Sequence, residues 1–187
     1  MQDGICAEIT CPWWLLPTFD NPLRRWLHPT QQILSPWVQP GDVVLEPGCG
    51  MGYFTVALAR LVGPQGRILA VDLQPRMLQG LAVRARKAGM LERIEAMVCP
   101  PDRMGVTETV DFALAFWMVH EVSDREGFLT EIHGALRSGG RLLVAEPRVH
   151  VTASNFQRTL DIAQRLGFEV VERPKIGFSR AVVLAKV

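Results

Sequence analysis

The chain has no C-x-x-C pair and no histidine pair at zinc-finger spacing, and its four cysteines, Cys6, Cys11, Cys49 and Cys99, are scattered. That excludes the common structural zinc frameworks, and no metal site is expected. Charge of either sign is not in excess: 20 Lys and Arg face 19 Asp and Glu, for a net +1, with no long basic run. The electrostatic footprint of a nucleic-acid binder is therefore missing. No apolar stretch approaches the length of a membrane span, and Met1-Gln2-Asp3-Gly4 lacks the basic start of a secretory leader. These absences predict a cytoplasmic protein with neither nucleic-acid nor membrane partners. Repeats and low-complexity segments are absent as well. What remains, 187 residues at 48% hydrophobic content, suffices for one sizeable core.

Against that plain background one stretch stands out. Val43-Val44-Leu45 is an apolar run ending in Glu46-Pro47, followed by Gly48-Cys49-Gly50-Met51-Gly52. It reads as a buried strand entering a turn whose glycines let the backbone bend sharply and approach a ligand that a Cβ would hold off. Tyr53 to Ala59 then continue as a helix. A second strand, Arg67 to Val71, ends in Asp72, twenty residues past Gly52, where a carboxylate can accept both hydroxyls of a ribose. A nucleoside-containing cofactor is expected. The spacing is G-x-G-x-G, tighter than the G-x-G-x-x-G of dinucleotide sites, and Glu46 would repel a pyrophosphate but suits a cationic ligand. A nicotinamide-dependent oxidoreductase is thereby disfavoured.

The rest of the chain alternates. Pro75 opens a helix with an apolar face of Met77, Leu78, Leu81, Ala82 and Ala85, closing in basic residues before Gly89. Strands follow at Ile94 to Val98 and Val110 to Phe116. Asp124 is a candidate N-cap for a helix running through Leu129, Ile132 and Leu136 to Gly139-Gly140. A fifth strand ends at Glu146-Pro147, a helix spans about Ala153 to Leu166, and Phe168 to Val171 pairs with Arg180 to Ala185. This order implies an open α/β sheet, with ligand-binding residues at the carboxyl ends of the strands.

Glu46-Pro-Gly-Cys-Gly-Met-Gly with Asp72, the strand Val110 to Phe116, and Leu136-Arg-Ser-Gly-Gly-Arg-Leu-Leu-Val resemble, in order and interval, the signatures of class I S-adenosylmethionine-dependent methyltransferases, of the small single-domain, type 11-like kind. The resemblance covers roughly residues 30 to 187. It implies a Rossmann-like, doubly wound, mostly parallel seven-stranded sheet with the last strand antiparallel, a cofactor domain at 30–187 and an N-terminal extension at 1–29. It also implies S-adenosylmethionine as cofactor and S-adenosylhomocysteine as product. Glu46 would hold the methionine ammonium and Asp72 the ribose. Gly48, Cys49, Gly50, Gly52 and Tyr53 would line the cofactor loop. Leu73 and the turn at Pro101 and Asp102 would face the adenine, with Phe116 and Trp117 near the methionine portion.

A sulfonium methyl is already activated, so no general base is obligatory. If the acceptor loses a proton, His120, just past the fourth strand, is the residue suited to take it, with Glu121 and Glu146 as further candidates. The near-neutral charge points to a small-molecule acceptor. The aromatic, proline-rich segment from Cys11 to Leu27 reads as a lid, an acceptor pocket or a homo-oligomer contact; Cys49 and Cys99 read as reduced, packed thiols, and Cys6 with Cys11 could bind a soft metal or metalloid, short of a third placed thiol. A non-catalytic cofactor-binding module remains the alternative.

Overall fold

A computed structural model describes residues 22–187. The segment from Met1 to Asn21, with Cys6, Cys11, Trp13 and Trp14, lies outside them. The described residues divide into two compact units, one closing at Cys99 and the other beginning at Pro100. The strands form one seven-stranded sheet in the order β3-β2-β1-β4-β5-β7-β6.

The first unit holds two short helices, α1 (Pro22–Leu27) and α2 (Thr30–Leu34), then β1 (Val43–Pro47), α3 (Thr55–Leu61), β2 (Arg67–Asp72), α4 (Pro75–Lys87) and β3 (Ile94–Val98). β1 and β2 pair in parallel, Val43 opposite Arg67 and Leu45 opposite Leu69, and β2 pairs in parallel with β3. The helix after the glycine loop begins two residues later than the sequence suggests. α4 starts at Pro75, where the missing N–H is one the helix leaves unused anyway, and buries Met77, Leu78, Leu81 and Ala85. Each long apolar side chain buried this way stabilises by about 1.5–3 kcal/mol before its ordering cost. The helix stops in a Schellman closure. Gly89 sits at φ 67°, Met90 N–H reaches the Ala85 carbonyl at 2.9 Å, and Gly89 N–H reaches that of Arg86 at 3.1 Å.

The second unit holds β4 (Val110–Phe116), α5 (Arg125–Ala135), β5 (Leu136–Pro147), α6 (Ala153–Arg165), β6 (Phe168–Glu172) and β7 (Ser179–Lys186). β4 and β5 run parallel, and β7 runs antiparallel to both β5 and β6. The fold is therefore α/β, mostly parallel, with the last strand reversed. Asp124 caps α5 through the Gly127 N–H at 2.9 Å, and Thr152 caps α6 through the Asn155 N–H at 3.2 Å. One boundary differs from expectation. α5 ends at Ala135, and Leu136 already belongs to β5, paired with Val110, before the register shifts at Arg141 opposite Phe112. Lys186 explains it: its Nζ donates to the carbonyls of His133 and Leu136, both at 2.7 Å, and so claims acceptors at the helix end. Gly139, at φ 72°, sits in the irregular opening of β5 instead of closing the helix.

Candidate functional site

The first unit assembles its site from the ends of β1 and β2. Gly48, Gly50 and Gly52 have φ of 66°, 54° and 80°, the left-handed region that side chains with a Cβ rarely enter. Gly52 is fixed twice over, since a Cβ there would collide with the Leu81 side chain, which is itself wholly buried. The loop is stitched to β2. Gly48 and Cys49 N–H groups donate to the Val71 carbonyl at 2.8 and 3.2 Å, and Gly50 N–H donates to Asp72 Oδ2 at 2.9 Å. Asp72 Oδ1 accepts from Gln74 N–H at 2.9 Å. Burial raises the Asp72 carboxyl above its ordinary range, while the N–H groups of Gln74, Gly50 and Leu73 oppose that rise. A carboxylate offers about four acceptor positions, so capacity remains for a ligand hydroxyl.

Glu46 is buried, and its Oε2 has no hydrogen-bond partner. Burial pushes its carboxyl up to about 8, Asp72 adds to the rise, and Thr55 and Arg24 moderate it. The Thr55 hydroxyl is close enough to ease the charge yet makes no hydrogen bond of good geometry. An orphaned carboxylate oxygen at the end of a strand fits a ligand that brings a cationic donor. Arg24, from α1, stacks its guanidinium 4.4 Å over the Tyr53 ring, and Tyr53 O–H donates to the His28 carbonyl at 3.0 Å. Cys49 is buried between the glycines, and its burial, with Glu46 and Asp72 nearby, drives the thiol far above its usual range. It is an inert packing residue. Leu73 is half-buried directly after Asp72.

The second unit gathers the other candidates at the ends of β4 and β5. Phe116 and Trp117 stack at 5.7 Å between centroids. Trp117 has φ 58°, a strained conformation for a bulky residue. It is held by its N–H to the Ala145 carbonyl at 2.7 Å and by its indole N–H to Ser179 Oγ at 2.9 Å. Glu146, buried at the end of β5, accepts from the N–H groups of Val119 and His120 at 3.1 Å each and lies 2.7 Å from His120 Nδ1. Burial alone would lower the His120 pKa, but the Glu146 hydrogen bond and charge outweigh it and raise the value. The His150 ring lies parallel to that of His120 at 5.9 Å. Pro101 and Asp102 are exposed in the turn that opens this unit.

The structure thus brings Glu46, the glycines, Tyr53, Asp72 and Leu73 together in one unit, and Phe116, Trp117, His120 and Glu146 in the other. Sequence reasoning did not single out Arg24, Thr55 or His150. Thr55 stands three residues past Gly52, a readable position. Arg24 lies in a segment without periodicity, and nothing in the order of residues links His150 to His120.

Residues 39–172 match a family model described as a methyltransferase domain. The ubiquinone/menaquinone biosynthesis C-methyltransferase UbiE of Klebsiella pneumoniae is 30% identical over 110 residues, covering 58% of this chain and 44% of that protein. The carboxy-S-adenosyl-L-methionine synthase of Dichelobacter nodosus is 31% identical over 123 residues, covering 64% and 51%. The chain thus spans about half the length of these curated relatives. Among solved structures, a SAM dependent methyltransferase from Aquifex aeolicus superposes with a TM-score of 0.85 at 22% identity, over 95% of this chain and all of that one. Motifs, fold and family match agree: the chain belongs to the class I S-adenosylmethionine-dependent methyltransferase family.

Proposed function

We propose that the protein transfers a methyl group from S-adenosylmethionine to a small-molecule acceptor by in-line displacement, within a single domain spanning residues 30–187. The observation that carries the reading is the unpartnered, buried Glu46 oxygen beside a left-handed glycine loop whose neighbour Asp72 keeps acceptor capacity. Glu46 would take the methionine ammonium, Asp72 the ribose hydroxyls, and Gly48, Cys49, Gly50, Gly52 and Tyr53 the length of the cofactor. Leu73, Pro101 and Asp102 would serve the adenine, and Phe116 and Trp117 the methionine portion. The bound cofactor supplies an activated sulfonium methyl.

The chain's own residues do the remainder. Binding both partners in near-attack geometry removes entropy from the barrier, and excluding water protects the electrophile. His120 would hold the proton released by an O–H, N–H or S–H acceptor on Nε2, because Nδ1 is engaged by Glu146. Glu146 is then a positioning residue, since its oxygens already serve Val119 N–H, His120 N–H and the imidazole. The near-neutral charge favours a small acceptor over a nucleic acid, and the relatives named for ubiquinone and menaquinone biosynthesis favour one with an aromatic or quinoid ring. A cytoplasmic location accords with the finding that no helix among the described residues is long and apolar enough to cross a membrane. The residues 1–29 are proposed as a lid or a contact between copies.

Calorimetric titration with S-adenosylhomocysteine, with NADH as control, tests the cofactor. Micromolar binding with a silent control is expected. Unchanged affinity in both Asp72→Ala and Gly50→Arg would overturn the site, and failure of every acceptor to be consumed would leave a binding module in its place.

A further inference from the structure

We propose that Arg148 and Arg180 form an anion seat beside His120, so that the methyl acceptor is an aromatic carboxylate whose charged end the two guanidinium groups hold. The inference rests on the acceptor reading above and adds two residues and a charge to it.

The starting point is a reciprocal tie between the turn that follows β5 and the start of β7. Arg148, in the turn, donates its Nε–H to the Ser179 carbonyl at 3.0 Å, and Arg180, in the strand, donates its Nε–H to the Val151 carbonyl at 3.0 Å. Each side chain reaches across to the other's segment. One N–H of each guanidinium is thus spent on backbone, and the Nη groups of both make no hydrogen bond or ion pair among the described residues. A guanidinium presents its donors as a planar fork, so two groups fixed through Nε keep their Nη edges for a planar anion. Apolar groups stand beside them. Phe178, whose carbonyl accepts the Arg148 N–H at 2.9 Å, is left-handed at φ 52° yet 64% exposed, and Val149 is 80% exposed. Burial does not offset the cost of that backbone, and strain of this kind gathers at functional positions. An exposed ring there suits the flat body of a ligand whose charge the arginines hold.

The second observation is the charge balance of the two segments. Residues 147–152 and 173–180 carry Arg148, His150, Arg173, Lys175 and Arg180 without a single Asp or Glu, in a chain whose net charge is only +1. Glu146, opposite Arg180 in the β5–β7 register, already serves Val119 N–H, His120 N–H and the imidazole. Glu121 acts on the His120 ring as well, and Arg125 opposes it there. The uncommitted charge is positive, and it lies at the reacting end: His150, from the same turn as Arg148, stacks its ring parallel to that of His120 at 5.9 Å. A neutral acceptor gains little from two anchored cations, and a cationic one is repelled. A carboxylate neutralises them through charge-assisted hydrogen bonds and is drawn to this end of the sheet by their field.

The probes are 4-hydroxybenzoate and 3,4-dihydroxybenzoate, each set against its neutral carboxamide, which keeps the ring and hydroxyls but not the charge. They are titrated by NMR into the full chain saturated with S-adenosylhomocysteine, as wild type, Arg148→Gln, Arg180→Gln, Arg148→Lys and Arg173→Gln, with the His120 and His150 ring signals as reporters. In the wild type each carboxylate is expected to bind about tenfold or more tighter than its amide, and that ratio should fall below about twofold in either glutamine variant of the tie. Arg148→Lys should keep part of it, because the point charge survives and the planar fork does not. It also serves should Arg148→Gln fail to fold. Arg173→Gln, in the same basic segment but outside the tie, should leave the ratio unchanged. The ratio decides, since an arginine that only braced the turn would weaken acid and amide alike. A wild-type ratio near one, no binding by any probe, a ratio that survives both glutamine variants of the tie, or an equal loss in Arg173→Gln would overturn the seat. Failure of S-adenosylhomocysteine to bind would remove the cofactor reading alone, and the same ratio, read on the unloaded chain, would still decide the seat.

Discussion

The Glu146 carboxylate holds His120 at two points, accepting its backbone N–H at 3.1 Å and meeting its imidazole Nδ1 at 2.7 Å. A buried carboxylate at Nδ1 fixes the tautomer of the neutral ring, with Nδ1 protonated and the Nε2 lone pair turned to other uses.

Because Glu146 raises the His120 pKa against the effect of burial, the protonated imidazole should persist above the ordinary value of 6.5. Activity that needs the neutral base should then climb as pH rises through that elevated value. The pairing contributes stability below 6.5 that is lost as pH rises through the folded pKa. In Glu146→Gln, an NMR titration of the His120 ring should move its midpoint downward, and turnover with a proton-losing acceptor should fall roughly 10- to 100-fold. An unmoved midpoint would show that Glu146 does not govern the ring.

Glu46 predicts a slope of the same sign in stability, over a wider window. Its carboxyl titrates near 8 in the folded chain against an ordinary 4.5, so the folded state keeps a proton that the unfolded state sheds. Stability should fall as pH rises from about 5 to 8, and Glu46→Gln should flatten that decline, by an amount on the order of a few kcal/mol at its upper end. Thermal melts of the two proteins across that window would decide. A ligand ammonium beside Glu46 favours the ionised form, so S-adenosylhomocysteine binding should release a proton below pH 8. Its affinity should therefore rise with pH by up to about tenfold per unit, and calorimetry in buffers of different ionisation enthalpy would report the proton directly.

Two glycines separate strain from crowding. Gly52 and Gly63 both sit at positive φ, 80° and 67°, but a Cβ at Gly63 meets nothing within 4 Å, whereas one at Gly52 strikes Leu81. Gly63→Ala should cost about 1–2 kcal/mol from the backbone alone. Gly52→Ala should cost roughly 2–4 kcal/mol because crowding in a packed core adds to it. Urea unfolding of the pair would measure the difference, and equal losses would mean that Leu81 yields freely.

Asp72→Ala should act on both structure and binding, since it leaves the N–H groups of Gly50 and Gln74 without their acceptor. S-adenosylhomocysteine affinity should drop at least about tenfold. Asp72→Asn, which keeps an oxygen for one of those groups, should recover stability more than binding. Unchanged stability in Asp72→Ala would assign Asp72 to the ligand alone.

Much of this was legible in the residues. The apolar runs of β1, β2 and β4, the Pro75 start and Gly89 stop of α4, and the Asp124 cap are local signals that burial did not override. Gly48, Gly50 and Gly52 announced themselves because the loop needs a backbone conformation that few other residues tolerate. What escaped depended on partners far along the chain. Lys186 shortens α5 from 53 residues away, and Glu146 finds His120 from 26. Arg24 was hidden because α1 has too few residues to show a periodic face, and Trp117 because nothing in its type foretells a left-handed backbone.

The Lys186 contact also orders events during synthesis. β7 both completes the pairing of β5 and fastens the last carbonyls of α5. A nascent chain from which β7 has not yet emerged has a β4–β5 pair with one side of β5 open and a helix end with no cation to close it. The second unit is therefore completed only once β7 is available, and its contacts of greatest separation along the chain should be the last to form.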